Sequence, residues 1–246
     1  MKIIDSHTHL GTSRVSDTNY TEEQWKSLMK RYHLDGIMSY PNPQAYPDMI
    51  NVHNRIHQFT LDNPGQVWGV ADINPNLDAD EYINEAFRCI KELNFVAIKI
   101  VPPMHGCNPL GKHCDKVFET AQQLNVPLIV HTGIGSPWAL PSMLLPRAQQ
   151  FPDVRIVLAH AGAHIYATEA IIVAEQCKNV YLEPSWCGAN RIRAMINAIG
   201  IERIMFGSDG PSNIGVELAK VEAIDMTDRE AELYLGKNAI DFYNLK

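Results

Sequence analysis

The stretches Val126-Pro127-Leu128-Ile129-Val130-His131 and Arg155-Ile156-Val157-Leu158-Ala159-His160 decide how this chain folds. Each is apolar nearly throughout, and each runs straight into a histidine. Such runs suit parallel strands covered on both faces. Parallel neighbours need a crossover of a dozen or more residues, usually a helix. Outward from this pair, similar short apolar stretches fall at residues 2–4, 36–39, 67–72, 95–101, 180–182 and 203–206, eight in all. Their far ends lie 23–33 residues apart, the length of a strand plus a helix. The pieces between carry helical signatures. Thr21 with Gln24, and Thr227 with Glu230, have capping-box spacing. Ile83, Phe87, Ile90 and Leu93, then Val117, Phe118, Ala121 and Leu124, are the apolar stripes of helices that cover a sheet. Eight such units in about 250 residues predict an α/β fold: a (β/α)8 TIM barrel with an additional C-terminal helix at 227–243, in a single domain over residues 1–246. A doubly wound open sheet is the alternative, but no Gly-rich phosphate turn follows the first stretch.

Composition narrows the partners. The chain has 246 residues, 46% hydrophobic and 20% charged, ordinary for a globular protein. Its 28 acids against 21 bases leave a net charge of −7, which argues against nucleic-acid or anionic-membrane binding. No apolar run approaches the ~18 residues of a membrane span, and the start, with Asp5 and His7 so early, is expected to carry no secretory leader. Five cysteines without a C-x-x-C pair are expected to be free thiols in a reducing, cytoplasmic compartment. The expected partner is a small-molecule substrate, and a homodimer is the assembly that analogy suggests.

The polar residues at the strand ends carry the chemistry. Asp5-Ser6-His7-Thr8-His9 ends the first stretch with an H-x-H, and residues i and i+2 of a strand share a face. His131 and His160 end the fifth and sixth stretches, and Asp209 follows the eighth. In a barrel these ends converge on one mouth. An isolated H-x-H is most often two packing or surface histidines, and Asp209 alone could be a turn residue. Five metal-competent residues at four strand ends are a different matter. They form a nitrogen and oxygen ligand set suited to Zn²⁺, Mn²⁺ or Fe²⁺.

These residues also carry a family resemblance. IIDSHTH at 3–9, FVAIKIVPP at 95–103, NVPLIVHTG at 125–133, VLAHAG at 157–162, NVYLEPS at 179–185, IMFGSDGP at 204–211 and LGKNAIDFYNL at 235–245 resemble the amidohydrolase superfamily. The likeness is to its amidohydrolase-related (amidohydrolase 2) branch of metal-dependent TIM-barrel hydrolases and decarboxylases. It implies one essential divalent metal, zinc with manganese or iron as alternatives, held by His7, His9, His131 and Asp209. It also implies an acid/base or carbonyl-polarising role for His160. The chain departs from relatives in carrying Glu183-Pro184-Ser185, where they often have aspartate before Thr or Ser, and in having little room for the insertions of typical decarboxylases.

The expected mechanism is hydrolysis by a metal-activated water, whose pKa falls from ~15.7 towards ~7. Asp209 is expected to ligate the metal and shuttle the proton on its second oxygen, and His160 to polarise the scissile carbonyl. The substrate is expected to be a lactone, amide or related ester bearing a carboxylate, with Lys99 and Glu183 as its binding residues. Strict alternation puts Phe95, Ala97, Lys99 and Val101 on one strand face, so Lys99 can reach the mouth. Lys99 can be read as a lysine satisfied by a carboxylate, as the cation for a substrate anion, or as a carbamylated bridge between two metals with His131 and His160 on the second ion. Two alternatives to hydrolysis stand: metal-dependent decarboxylation of an unsaturated or aromatic acid, and a non-catalytic metal-binding barrel. Arg14, Arg191 and Arg193 are further anion-binding candidates. His105, Cys107, His113 and Cys114 are expected to line the mouth rather than hold a structural zinc. His33, His53 and His57 are expected at the surface.

Overall fold

A computed structural model of the chain describes residues 1–42, 48–134 and 137–246. Seven parallel strands form where the apolar stretches lie: β1 (Ile4–Ser13), β3 (Gly36–Pro41), β4 (Val67–Asp72), β5 (Ala97–Ile100), β6 (Leu128–His131), β7 (Ile156–Ala159) and β8 (Val180–Glu183). A short strand that the sequence did not signal, β2 (Thr18–Tyr20), pairs antiparallel with the end of β1. The sheet runs β2-β1-β3-β4-β5-β6-β7-β8 and curls, with helices between successive parallel strands.

The eighth apolar stretch, 203–206, departs from the expected strand. It makes one isolated parallel bridge, Leu182 to Ile204. Its remaining backbone groups are divided between neighbours. The Met205 amide donates to the Leu182 carbonyl (2.9 Å), the Ser6 amide to the Phe206 carbonyl (3.0 Å), and the Phe206 amide to the Tyr234 carbonyl (2.9 Å). Tyr234 belongs to the terminal helix, which displaces a regular ladder here. The expected (β/α)8 barrel is therefore seen as a curled parallel sheet whose edges, β8 and β1, share the 203–206 segment.

Alternation along the strands builds two apolar layers. Ile98 and Ile100, Leu128 and Val130, and Ile156 and Leu158 face outward into the cluster shared with the helices. Ala97, Ile129, Val157 and Ala159 face inward with Met38, Tyr40, Val70 and Met205. Phe95, expected inside, precedes β5 and packs in the outer layer. The helix Asp115–Leu124 buries Val117, Phe118, Ala121 and Leu124 as its stripe predicts. The stripe at Ile83–Leu93 is only partly buried; Tyr82, Glu85, Ala86 and Cys89 lie deeper.

The terminal helix is real and segmented: Asp228–Glu232, a π-helical turn Leu233–Lys237, then Asn238–Tyr243. Its capping box is complete, with Thr227 Oγ1 accepting from the Glu230 amide (3.2 Å) and Glu230 Oε2 from the Thr227 amide (2.9 Å). Ala239, Phe242, Tyr243 and Leu245 join the inner layer, in one cluster with Ile4 and Tyr40. Gly236 allows this helix to lie on the chain entering β1, because a Cβ there would overlap the Lys2 carbonyl. Backbone cannot yield as a side chain can, so Gly236→Ala should cost about 1–3 kcal/mol and lower the midpoint of thermal unfolding by several degrees. An unchanged midpoint would show that the helix does not approach β1 this closely.

Candidate functional site

The H-x-H reaches the interior through a backbone irregularity. Ile4 packs in the inner layer and Leu10 in the outer, although six residues of regular strand would put them on one face. The pairing of β1 with β3 shifts register between Asp5 and Thr8, so β1 holds one extra residue. That bulge inverts the alternation and turns both His7 and His9 inward. His160 arrives differently. Ala159 faces inward, so the next residue of a regular strand would face out, but His160 has φ 64° and Ala161 has φ 41°. Asp209 is left-handed too, at φ 67°, and its amide donates to the His7 carbonyl (2.7 Å). Such conformations are uncommon for residues other than glycine and concentrate where side chains must be aimed.

Each imidazole of the pair is pinned from behind. His9 Nδ1 lies 2.8 Å from the Pro41 carbonyl, which can only accept, so the proton is on Nδ1. His7 Nδ1 lies 2.6 Å from Glu183 Oε2. Glu183 also accepts from the Ser185 amide (2.7 Å), Ser185 Oγ (3.1 Å) and the His160 amide (3.3 Å), donors that hold it as an anion although burial raises its pKa. His7 Nδ1 is therefore the donor as well. Gly207 makes room for this contact, since a Cβ there would meet the Glu183 carboxyl at 2.7–2.8 Å and His7 Cβ at 2.8 Å. With both Nδ1 protons committed, the two Nε2 lone pairs face each other at 3.2 Å. Burial holds both rings well towards the neutral form, aided by the Lys99 charge, so no second proton relieves the repulsion.

What surrounds that point answers it with charge. Asp209 Oδ1 lies 3.4 Å from His7 Nε2 and 3.2 Å from His9 Nε2. Lys99 projects from β5 as alternation predicts and is 1% exposed, with Nζ 2.7 Å and 3.3 Å from the same two nitrogens and 4.6 Å from the Tyr40 ring centroid. Burial lowers the Lys99 pKa, opposed by Asp72, Asp209 and Glu183. His160 stacks on His7 at 4.9 Å, and His131 meets His160 edge-on at 4.7 Å. His7, His160 and Asp209 place one ligand atom each within 4.8 Å of one another. The donor set fits a divalent cation: converging lone pairs, fixed tautomers and an adjacent carboxylate.

The site opens into a cavity of about 440 Å³ lined by His9, Lys99, His131, His160 and Asp209 at its floor. Val101, Pro103, Met104, Ile134 and Trp186 give its lining an apolar part. Ser16, Thr18 and Tyr20 from the β1–β2 hairpin, with Asn42, give it a polar part. The hairpin had no signal in the sequence beyond a short polar stretch. Glu183 stands behind His7 and is not among the residues that line this cavity. The second oxygen of Asp209 is engaged, accepting from the Trp186 indole at 2.8 Å.

Several other polar residues resolve as structural. His53, expected at the surface, is fully buried, because both its nitrogens are satisfied: Nδ1 by Glu85 (2.6 Å) and Nε2 by the Asp72 amide (3.2 Å). Arg193 pairs with Glu230 (2.8 Å) and the Ile224 and Asp225 carbonyls. Cys107 and Cys114 are buried in the outer core, His113 is exposed, and His105 turns to Asp72 (3.3 Å). All five cysteines are free. No described helix is long and apolar enough to cross a membrane.

Residues 4–245 match the family model described as Amidohydrolase. No curated protein matches the chain significantly. Among solved structures, the chain is similar to 5-carboxyvanillate decarboxylase LigW from Sphingomonas paucimobilis (TM-score 0.81, 14% identity, covering 100% of this chain and 99% of that one). It is similar to a dihydroxybenzoic acid decarboxylase from Polaromonas sp. JS666 with bound manganese and 2-nitroresorcinol (0.77, 16%, 99% and 97%). It is also similar to a probable 2-pyrone-4,6-dicarboxylic acid hydrolase from Acinetobacter baumannii with bound citric acid (0.72, 15%, 99% and 100%). At such identities the likeness is one of fold.

Asp72, the β4 partner of Lys99 in register, supplies a test of this polar floor. Burial pushes its pKa up to about 7, although Lys99 opposes the shift. An exposed aspartate titrates near ~3.9, so between the two values the folded chain holds a proton that the unfolded chain has lost. The stability contributed is complete below about pH 4 and is lost as pH rises through 7. Asp72→Asn should therefore gain thermal stability over the unaltered chain progressively from pH 5 to pH 8. A constant difference across that range would show that Asp72 is ionised throughout.

Proposed function

We propose, on the premise that the chain belongs to the amidohydrolase family, that it is a metal-dependent enzyme decarboxylating a small hydroxylated aromatic or unsaturated acid. The observation that carries this reading is the pinned imidazole pair, His7 and His9, at a cleft that His9 lines together with apolar and hydroxyl-bearing side chains. Decarboxylases of hydroxylated aromatic acids among the structural neighbours support it. We read the 203–206 segment as the eighth unit that closes a (β/α)8 barrel around this floor.

His7, His9, His131 and Asp209 would hold the divalent cation, with manganese or zinc as the candidates. When bound, it supplies Lewis-acid polarisation of a substrate oxygen. Lys99, the cation on the cavity floor, pairs with the substrate carboxylate. Val101, Pro103, Met104, Ile134 and Trp186 pack the flat ring and exclude water. Ser16, Thr18 and Tyr20 read a ring hydroxyl. Loss of CO₂ breaks the carbon–carboxyl bond, leaves its electron pair on the ring carbon, and requires one proton there. His160 is assigned to carry it, taking a proton from solvent at Nε2 and giving it to the ring carbon as CO₂ leaves. Ser185 gives its hydroxyl proton to Glu183, so it accepts from His160 Nδ1 (2.7 Å), and Nε2 is left as the atom that takes and returns a proton. Glu183 thus acts by holding His7 and Ser185 rather than by binding substrate. Asp209, its Oδ2 held by the Trp186 indole, keeps Oδ1 towards the imidazole pair.

Hydrolysis of a lactone is the second reading, supported by the probable pyrone-dicarboxylic acid hydrolase among the neighbours. It uses the same floor, with His160 taking the proton from water. A panel of hydroxylated benzoic acids and lactones, assayed with the manganese-loaded chain, separates the two. Release of CO₂ without lactone opening is expected, and the reverse would overturn the decarboxylase reading. His160→Asn should lower turnover by about 10²–10⁴-fold while metal content stays at the parent level. Turnover that persists in this variant would remove His160 from the proton path.

A further inference from the structure

Asp209 turns Oδ1 towards the imidazole pair, and what holds its second oxygen is itself suspended from a buried carboxylate. Trp186 follows β8 in a left-handed conformation (φ 66°) that a residue with a Cβ adopts only under constraint. Its indole Nε1 donates to Asp209 Oδ2 (2.8 Å), although the residue is 52% exposed and lines the cavity. The constraint comes from below. The Trp186 amide donates to Glu217 Oε1 (2.8 Å), on the first turn of the helix Ile214–Ala223. The same oxygen accepts from Asn213 Nδ2 (2.9 Å), which also donates to the Ser208 carbonyl (3.0 Å), one residue before Asp209. Lys220 Nζ, 2.6 Å away, balances the charge, and Glu217 is fully buried. One carboxylate oxygen therefore fixes the backbone on both sides of the Trp186–Asp209 hydrogen bond.

We infer that Trp186 and Glu217 are positioning residues for the cation site: Glu217 sets the two loops, and the Trp186 indole locks the Asp209 carboxylate so that Oδ1 meets the His7–His9 pair. A carboxylate free to rotate about its last bond presents either oxygen, or neither, to the imidazoles. The indole donor removes that freedom before an ion arrives. Partners of this kind typically change metal affinity or activity by 10–100-fold when removed.

The inference rests on Asp209 being a cation ligand, and the test separates the two claims. Manganese affinity is measured on the metal-free chain by competition with a chelating dye, alongside thermal unfolding. Trp186→Phe keeps an aromatic ring and removes only the donor, so affinity should fall about tenfold with an unchanged unfolding midpoint. Glu217→Ala should also weaken binding, and Glu217→Gln, which retains an acceptor for both amides, should recover part of the loss. In the Trp186→Phe background, Glu217→Ala should cost less than it does alone, because part of its route to Asp209 is already gone. Affinity in Trp186→Phe within twofold of the parent, or fully additive losses, would overturn the positioning role while leaving the site intact. A parent chain that takes up no manganese would remove the site, and this inference with it.

Discussion

Two neutral imidazoles whose nitrogen lone pairs are forced together impose the constraint on which this molecule depends. His7 and His9 each spend their one ring proton on a fixed acceptor, Glu183 and the Pro41 carbonyl, and their Nε2 atoms then stand 3.2 Å apart. Lone pairs at that separation repel unless a positive centre lies beside them. Lys99 and Asp209 frame the same point with one charge of each sign. A buried arrangement of this kind is costly unless it serves a ligand, because four polar groups give up water to make it.

The backbone is bent to the same end. The extra residue in β1, the left-handed His160, Trp186 and Asp209, and the bare Cα of Gly207 all aim side chains at one point or make room for those that do. Left-handed residues other than glycine cost on the order of 1–3 kcal/mol each, so hydrogen bonds must hold them. They do: the Asp209 amide to the His7 carbonyl, the Trp186 amide to Glu217, and the His160 amide to Glu183. The regular sheet supplies rigidity, and its irregular rim supplies direction.

Much of this was legible in the sequence, and the limits have physical causes. Apolar runs bounded by polar turns locate seven of the eight expected strands, because burial on both faces leaves no other composition. Alternation alone turns Lys99 inward, since β5 is regular. The inward turn of His7 and His9 was expected from period-two logic, yet it depends on a bulge that no residue type announces. His53 looked like a surface residue because its partners, Glu85 and the Asp72 amide, come from distant elements. The contact of Glu183 with His7 Nδ1 was not legible, because the two residues lie on strands far apart in the chain. The 203–206 segment reads as a strand, but the terminal helix competes for its amide at Phe206.

The most direct measurement is the position of a bound ion, found by anomalous diffraction from crystals of the chain soaked in manganese or zinc. The account predicts one strong peak at about 2.0–2.2 Å from the Nε2 atoms of both His7 and His9, with Asp209 as a further ligand. A peak elsewhere, or an ion bound with either of those two nitrogens left out, would contradict it.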